Sequence, residues 1–86
     1  MPDQPIRLTP SLCRAGRAFL GWRQADLAQA SGVPEPTINA FEGKPETGRM
    51  MAANSRLLIM AFEVAGLEFI PENGGGAGIR FRERRA

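Results

Sequence analysis

The sequence contains no histidine and a single cysteine, Cys13, among its 86 residues. Without histidine the chain lacks the commonest metal ligand and general base, and one cysteine can form neither an internal disulfide nor a thiolate zinc site. The carboxylates are spread along the chain, and no nucleophile–base pair can be named. We therefore expect a protein that is not an enzyme and uses no cofactor or metal, with Cys13 as a small, half-buried apolar residue.

Long apolar runs are also missing. The sequence has no stretch of about 18 apolar residues and no charged-then-apolar leader at its start. This pattern predicts neither a membrane span nor a signal peptide, so we expect a soluble, cytoplasmic protein with no membrane partner. Residues 1–86 are expected to form one domain, and a chain of this length buries only about 60 to 65% of its unfolded surface. Dimerisation is therefore expected to contribute to stability.

Charge of one sign is not in large excess, since the formal net charge is only +2. The arginines, however, are clustered in the sequence: Arg14, Arg17 and Arg23, and then Arg80, Arg82, Arg84 and Arg85. Clustered cations favour a polyanionic partner more strongly than the small net charge does. Whether the C-terminal group contacts DNA or only solvates the tail is left open by the sequence.

The first helix has a clear start. The side chain of Thr9 can cap the first free amides of the helix. Pro10 is tolerated at the first helical position because the N–H that proline lacks would have no partner within the helix. The pattern predicts a helix to about Leu20, with Arg14 and Arg17 pointing to solvent. Its predicted inner face consists of Leu12, Ala15, Gly16 and Phe19.

Two shorter helices are predicted next, at about 23–30 and 35–42, joined by a tight turn. Gly32 lies where this turn requires a positive φ, and Ala28 is small where the two helices would cross. The apolar residues that would face each other and the first helix are Leu27, Ala28, Val33, Ile38 and Phe41. This is the layout of a helix-turn-helix, whose second helix enters the major groove of DNA.

The same segment resembles the phage-repressor-like (XRE) family, in which Gln-x-x-Leu-Ala opens the second helix and Gly-Val-x-x-x-Thr-Ile opens the third. The matching residues are Gln24, Leu27, Ala28, Gly32, Val33, Thr37 and Ile38. The resemblance covers residues 9–66, and residues 65–82 are similar to the ending of small bacterial members in which a β-hairpin follows the last helix. It implies a mainly α fold: a lambda-repressor-like domain of four to five helices, a C-terminal β-hairpin at 67–82 and a basic tail at 83–86.

The resemblance further implies that the third helix reads double-stranded DNA. The residues expected at the DNA are Arg23, Gln24, Glu35, Pro36, Thr37, Asn39, Lys44 and Arg49, with Ala40 also facing outward. Asn39 can pair with adenine and Glu35 can accept from cytosine, whereas Arg23, Lys44 and Arg49 are candidates for phosphate contacts. The third helix itself carries no lysine or arginine.

A fourth helix is predicted over 49–65, and it has two apolar stripes. The stripe expected to close the core is Met51, Ser55, Leu58, Phe62 and Ala65. The second stripe is Met50, Leu57, Met60 or Ala61, and Val64. A helix in so small a domain cannot bury both faces in its own core, so one stripe is expected to meet a second copy of the chain.

The C-terminal strands are predicted at 67–70 and 79–82, with Ile79 and Phe81 facing inward. A two-stranded hairpin alone is marginal in water, so it should pack on the last helix or pair across a dimer. The residues predicted at the dimer interface are Leu57, Met60, Val64, Phe69, Ile79 and Phe81.

These features predict a homodimeric, sequence-specific transcriptional regulator that binds a two-fold-related operator. Repression or activation would depend on where the operator lies relative to a promoter. The alternative is a helix-turn-helix fold used as a protein-interaction module, such as an antitoxin that binds a toxin or an anti-activator that binds another regulator. A third helix without cations and with two prolines near its start favours this alternative.

Overall fold

The computed structural model describes residues 7–83, which contain four α-helices followed by two β-strands. The elements are α1 (Pro10–Leu20), α2 (Gln24–Ser31), α3 (Glu35–Glu42), α4 (Ala52–Val64), β1 (Leu67–Ile70) and β2 (Gly78–Phe81). The strands pair antiparallel, with Leu67 opposite Phe81. The prediction of a mainly helical fold with a short C-terminal hairpin is confirmed. Between residues 7 and 83, no helix has the length and apolar character needed to cross a lipid bilayer.

Local signals set the ends of the first two helices. The hydroxyl of Thr9 accepts a hydrogen bond from the amide of Leu12 (3.1 Å) and so caps α1, as predicted. α1 stops at Gly21 (φ 67°) and α2 stops at Gly32 (φ 84°), both in the left-handed region that glycine adopts without a Cβ penalty. Three residues, 32–34, then separate α2 from α3.

The start of α4 differs from the prediction. The helix begins at Ala52 rather than Arg49, because the residues before it are held in a non-helical conformation. Lys44 Nζ donates to the carbonyl of Arg49 (2.6 Å), and Met51 has extended dihedral angles (φ −53°, ψ 139°). Met51 is 72% exposed, so the prediction that it closes the core is wrong.

The core lies where the helices meet the hairpin. Its buried apolar residues are Leu8, Cys13, Leu27, Val33, Ile38, Phe41, Leu58, Ala61, Phe62, Leu67 and Phe69. Leu58 and Phe62 lie on the α4 stripe that was predicted to face inward. Phe62 stacks on Trp22, with ring centroids 6.2 Å apart, and also contacts Phe69 at 6.0 Å. Cys13 is fully buried, so the prediction of a half-buried cysteine is wrong.

The hairpin packs on its own chain. Phe81 meets Phe19 of α1 edge to face, with ring centroids 5.1 Å apart, and Ile79 packs against the core. The amide of Arg82 donates to the carbonyl of Gly66 (2.8 Å), which fixes the hairpin to the end of α4. The predicted inward orientation of Ile79 and Phe81 is confirmed.

Gly16 of α1 packs directly against the ring of Phe62 of α4. A Cβ at this position would lie 2.7 Å from Cε1 and 2.8 Å from Cζ of Phe62, whose ring is fully buried. We expect Gly16→Ala to lower the free energy of unfolding by about 1 to 2 kcal/mol, since overpacking costs about 1 to 3 kcal/mol and alanine recovers up to about 1 kcal/mol of helix propensity. Chemical denaturation followed by circular dichroism measures this change.

The matched control is Gly76→Ala in the hairpin loop, where a Cβ would meet nothing within 4 Å. Its effect is expected to stay within about 0.5 kcal/mol, as for most surface substitutions. Equal stabilities of the two variants would contradict the close packing of Gly16 on Phe62.

Candidate nucleic-acid interface

α3 has one buried side and one exposed side. Ile38 and Phe41 are 0% and 1% exposed and anchor the helix in the core. The opposite side, here called the α3 face, consists of Glu35, Pro36, Asn39 and Ala40, with Thr37 half-buried beside them. The structure therefore brings the outward-facing residues predicted for this helix together on one solvent-facing surface.

A cleft separates α3 from the start of α4. This α3–α4 cleft has a volume of about 480 Å³. It is lined by Pro36, Thr37, Ala40, Phe41, Lys44, Met50, Met51 and Asn54. Two members of the α3 face, the neighbouring Thr37 and one predicted phosphate-binding residue thus share a single concave surface with two methionines.

The loop that carries Lys44 and Arg49 is tied to the start of α1. Arg7 Nη2 donates to the carbonyls of Glu46 (3.2 Å) and Gly48 (3.3 Å). The carboxylate of Glu46 accepts from the hydroxyl of Ser11 (2.6 Å), and this bond lowers the pKa of Glu46 below its usual value. Lys44 and Arg49, two of the three predicted phosphate-binding residues, are exposed, and their loop is positioned by its contacts with Arg7 and Ser11.

Arg23 lies just before α2 and is paired within the chain. Its Nη2 lies 3.2 Å from Oδ1 of Asp26, and its own amide donates to Oδ2 of Asp26 (2.8 Å). Hydrogen bonds from the Arg23 side chain and amide lower the pKa of Asp26. The Arg23 side chain remains 81% exposed and so is accessible to an anion, although Asp26 offsets part of its charge.

The carboxylate of Glu42, at the end of α3, joins three helices. Among the described residues, Glu42 is the one charged side chain that is buried, at 6% exposure. Arg17 of α1 binds it in bidentate fashion, from Nη2 to Oε1 (2.7 Å) and from Nε to Oε2 (2.8 Å). The thiol of Cys13 donates to Oε2 (3.0 Å), and Nε2 of Gln24 donates to Oε1 (3.1 Å). Gln24, predicted at the DNA, is therefore held by the protein through one of its amide hydrogens.

These contacts determine how the buried groups ionise. Burial alone raises the pKa of Glu42, but hydrogen bonds from Arg17, Cys13 and Gln24 outweigh burial and hold its pKa below the usual value. Burial, followed by the hydrogen bond to Glu42, raises the pKa of the Cys13 thiol. The stable arrangement is therefore an ionised Glu42 that accepts a hydrogen bond from a protonated Cys13.

The prediction that Arg17 points to solvent is wrong, whereas Arg14 is exposed as predicted. Arg17 binds the Glu42 carboxylate, and Arg14 Nη1 donates to the Glu42 carbonyl (2.6 Å). A signal for this arrangement was present in the sequence, because Cys13 and Arg17 are four residues apart and share one face of α1. A buried Cys13 therefore places Arg17 at the edge of the core, where it requires an acidic partner.

An open apolar groove lies between the end of α2 and α4. This α2–α4 groove has a volume of about 360 Å³ and is lined by Trp22, Ala30, Ser31, Leu57, Met60, Ala61, Val64 and Ala65. Leu57, Met60 and Val64 are 40%, 53% and 84% exposed. The structure thus brings together the three α4 residues that were predicted at a dimer interface.

The hairpin residues predicted at that interface lie elsewhere. Phe69 is only 7% exposed and belongs to the core of its own chain, a position the prediction did not anticipate. Ile79 and Phe81 are half-buried and pack against that same core. Phe69 therefore offers little exposed surface to a second copy of the chain, whereas α4 exposes much more apolar surface.

Two of the C-terminal arginines make contacts within the chain. Arg80 Nη2 lies 2.9 Å from Oε2 of Glu68, directly across the hairpin, and Arg82 Nη2 donates to the carbonyl of Glu63 (2.7 Å). Both remain exposed at the surface. Arg84 and Arg85 lie outside the described residues.

A scan of the sequence against protein-family models gave no match, and a search of curated proteins found no relative. Three features of the chain's own geometry bear on its function. The relevant features are the exposed α3 face, the cations beside it and the open α2–α4 groove.

Removing the charge of Glu42 should destabilise the fold. Glu42→Gln is expected to lower the free energy of unfolding by about 2 to 3 kcal/mol, because it leaves Arg17 partly buried without a counter-charge. The lowered pKa of Glu42 means that its contribution is complete above the ordinary carboxyl pKa and is lost as the pH falls through the folded-state value. The variant should therefore lose less stability than the wild type between neutral and acidic pH.

Urea denaturation measured across this pH range tests both statements. Glu72→Gln is the matched control, since Glu72 is exposed in the hairpin loop. A Glu42→Gln variant with wild-type stability and an unchanged pH profile would show that the buried ion pair does not stabilise the fold.

Proposed function

We propose that the protein is a sequence-specific, DNA-binding transcriptional regulator in which α2 and α3 form a helix-turn-helix. The observation that carries this proposal is the division of α3 into a core side, with Ile38 and Phe41, and an exposed α3 face. A recognition helix needs this division, because its N-terminal residues must reach base edges in the major groove while its other side holds it on the domain.

The geometry of the α2–α3 pair supports the assignment. Two helices of eight residues are separated by a three-residue turn, and Gly32 adopts the left-handed conformation that the turn requires. Ile38 and Leu27 are fully buried and fix the pair to the core. The resemblance of this segment to the phage-repressor-like family is consistent with the same function.

Groups that can bind phosphate flank the α3 face. Gln24 is the first residue of α2, where free backbone amides favour an anion, and its second amide hydrogen is available to a phosphate oxygen. Lys44 and Arg49 are exposed on the loop after α3. Together these groups would set the register of the domain on DNA, while the α3 face would read the bases.

A homodimer completes the proposal. Exposed apolar side chains on the α2–α4 groove would be covered by the same groove of a second copy, in a two-fold arrangement. Two α3 helices would then enter successive major grooves about 34 to 36 Å apart. Such a regulator would work in the cytoplasm without a cofactor and would respond to dimer concentration or to a protein partner.

One observation favours a second function, a protein-interaction module such as an antitoxin or anti-activator. The α3 face contains Glu35 and no lysine or arginine. In that case the α2–α4 groove would hold the partner protein rather than a second copy.

Fluorescence anisotropy with DNA from the region upstream of the gene tests the main proposal. We expect a dissociation constant near 10⁻⁸ M at about physiological salt and a preference of about a thousandfold over a scrambled duplex. Equal, weak binding to both duplexes would support the protein-interaction module instead.

The combined change Thr37→Ala with Asn39→Ala should remove most of this preference, because each well-formed base contact contributes about 1 to 3 kcal/mol of discrimination. Asn73→Ala, at an exposed asparagine of the hairpin loop, is the control and should bind as the wild type does. Preserved preference in the double variant, with an unchanged circular dichroism spectrum, would exclude α3 as the reading helix.

The dimer interface is tested by Leu57→Glu combined with Val64→Glu. Two carboxylates in the α2–α4 groove should yield monomers in sedimentation velocity, because burying unpaired charge is unfavourable. Ala18→Glu with Ala77→Glu adds the same charge at exposed positions outside the groove and should leave the dimer intact. A dimeric mass for the groove variant would place the interface elsewhere.

A further inference from the structure

We propose that the α3 face, together with Met51, recognises thymine through its 5-methyl group. Each half-site of the bound DNA would then carry T·A pairs opposite Pro36, Ala40 and Met51. This inference rests on the proposed function, since it assigns the class of base that the same surface reads.

The side chains of the α3 face exclude the commonest base contact. Arginine or lysine bound to guanine is the usual specific pair in the major groove, and α3 contains neither residue. Pro36 and Ala40 are both exposed, and a spacing of four residues places them on the same side of the helix. The surface that would meet the bases is therefore apolar along this line.

Met51 extends the apolar line beyond α3. It is 72% exposed and shares the α3–α4 cleft with Pro36 and Ala40. A methionine side chain is flexible and polarisable, so it can adapt to a small apolar group. The 5-methyl of thymine is the apolar group that the four standard base pairs present in the major groove.

The α3 face itself carries the carboxylate of Glu35, and the cations that favour DNA as the occupant of this surface lie on the loop beside it. Lys44 lines the same cleft, and its ammonium group is bonded to the carbonyl of Arg49, whose own side chain is exposed. Cations beside a cleft that exposes the apolar side chains of Pro36, Ala40 and Met51 suit a ligand with phosphates at its edge and methyl groups in its groove. Asn39 on the same face can pair with adenine, whose partner base is thymine rather than 5-methylcytosine.

The test begins with selection of tightly bound duplexes from a random-sequence library by the full-length protein. The selected duplex is then compared with the same duplex in which deoxyuridine replaces thymidine within the half-sites, a change that removes only the 5-methyl groups. We expect a loss of about threefold to fivefold in affinity for each contacted methyl, as for one buried CH₂-sized group. Equal affinity for the two duplexes would overturn the inference, whereas a failure to select any sequence would overturn the proposed function.

Variants at Met51 separate methyl recognition from a general loss of binding. Met51→Gln should reduce the affinity ratio between the thymidine and deoxyuridine duplexes, whereas Met51→Leu should preserve it because leucine keeps the apolar contact. A lower stability alone would weaken binding to both duplexes and leave the ratio unchanged. An unchanged affinity ratio in Met51→Gln would show that Met51 does not contact the thymine methyl group.

A third duplex distinguishes thymine from another source of the same methyl group. In this duplex 5-methylcytosine·guanine pairs replace the contacted T·A pairs. We expect weaker binding than to the thymidine duplex, because Asn39 loses its adenine. Equal binding would overturn the assignment to thymine.

Discussion

The arrangement of the first three helices depends on the ion pair and hydrogen bonds that the carboxylate of Glu42 makes. It accepts hydrogen bonds from Arg17 and Cys13 of α1 and from Gln24 of α2, while its own backbone belongs to α3. A buried charge is tolerated only when its oxygens are satisfied, and both oxygens of Glu42 have donors. The ion pair therefore favours one relative orientation of the helices, which apolar packing alone specifies less strictly.

Because Glu42 fixes α3 to the other helices, the two sides of α3 have different roles. The core side carries the ion pair and the buried ring of Phe41, whereas the side chains of the α3 face are exposed. The loop after α3 shows the same division. Arg7 and Glu46 hold its backbone, while the side chains of Lys44 and Arg49 are exposed. Scaffold and candidate reading surface are thus adjacent in sequence but distinct in space.

The sequence predicted the elements well where local chemistry determines them. Thr9, Gly21 and Gly32 act through their own backbone conformation or a near neighbour, so the ends of α1 and α2 follow from residue type. The start of α4 did not follow, because the loop before it is held by the distant residues Arg7 and Ser11 as well as by Lys44 within the loop. The contacts of Glu42 with Arg17, Cys13 and Gln24 were not predicted for the same reason. Periodicity shows which residues share a face of a helix, but it does not identify the partner of Arg17, which lies 25 residues further along the chain. The exposed α3 face could be predicted from the sequence. The cleft that it forms with Met51 could not, because that cleft depends on α4 beginning at Ala52.

The contact between Phe19 and Phe81 has a consequence for the time course of folding. It joins the first helix to the last strand, so it closes a loop that spans most of the described chain. Contacts between distant positions form slowly, because the entropy of loop closure opposes them before they are made. During synthesis α1 emerges from the ribosome long before β2, and until the strand follows, the ring of Phe19 lacks its aromatic partner. Nascent chains of this protein therefore expose more of the Phe19 ring than the finished fold does, in which this residue is still 42% exposed.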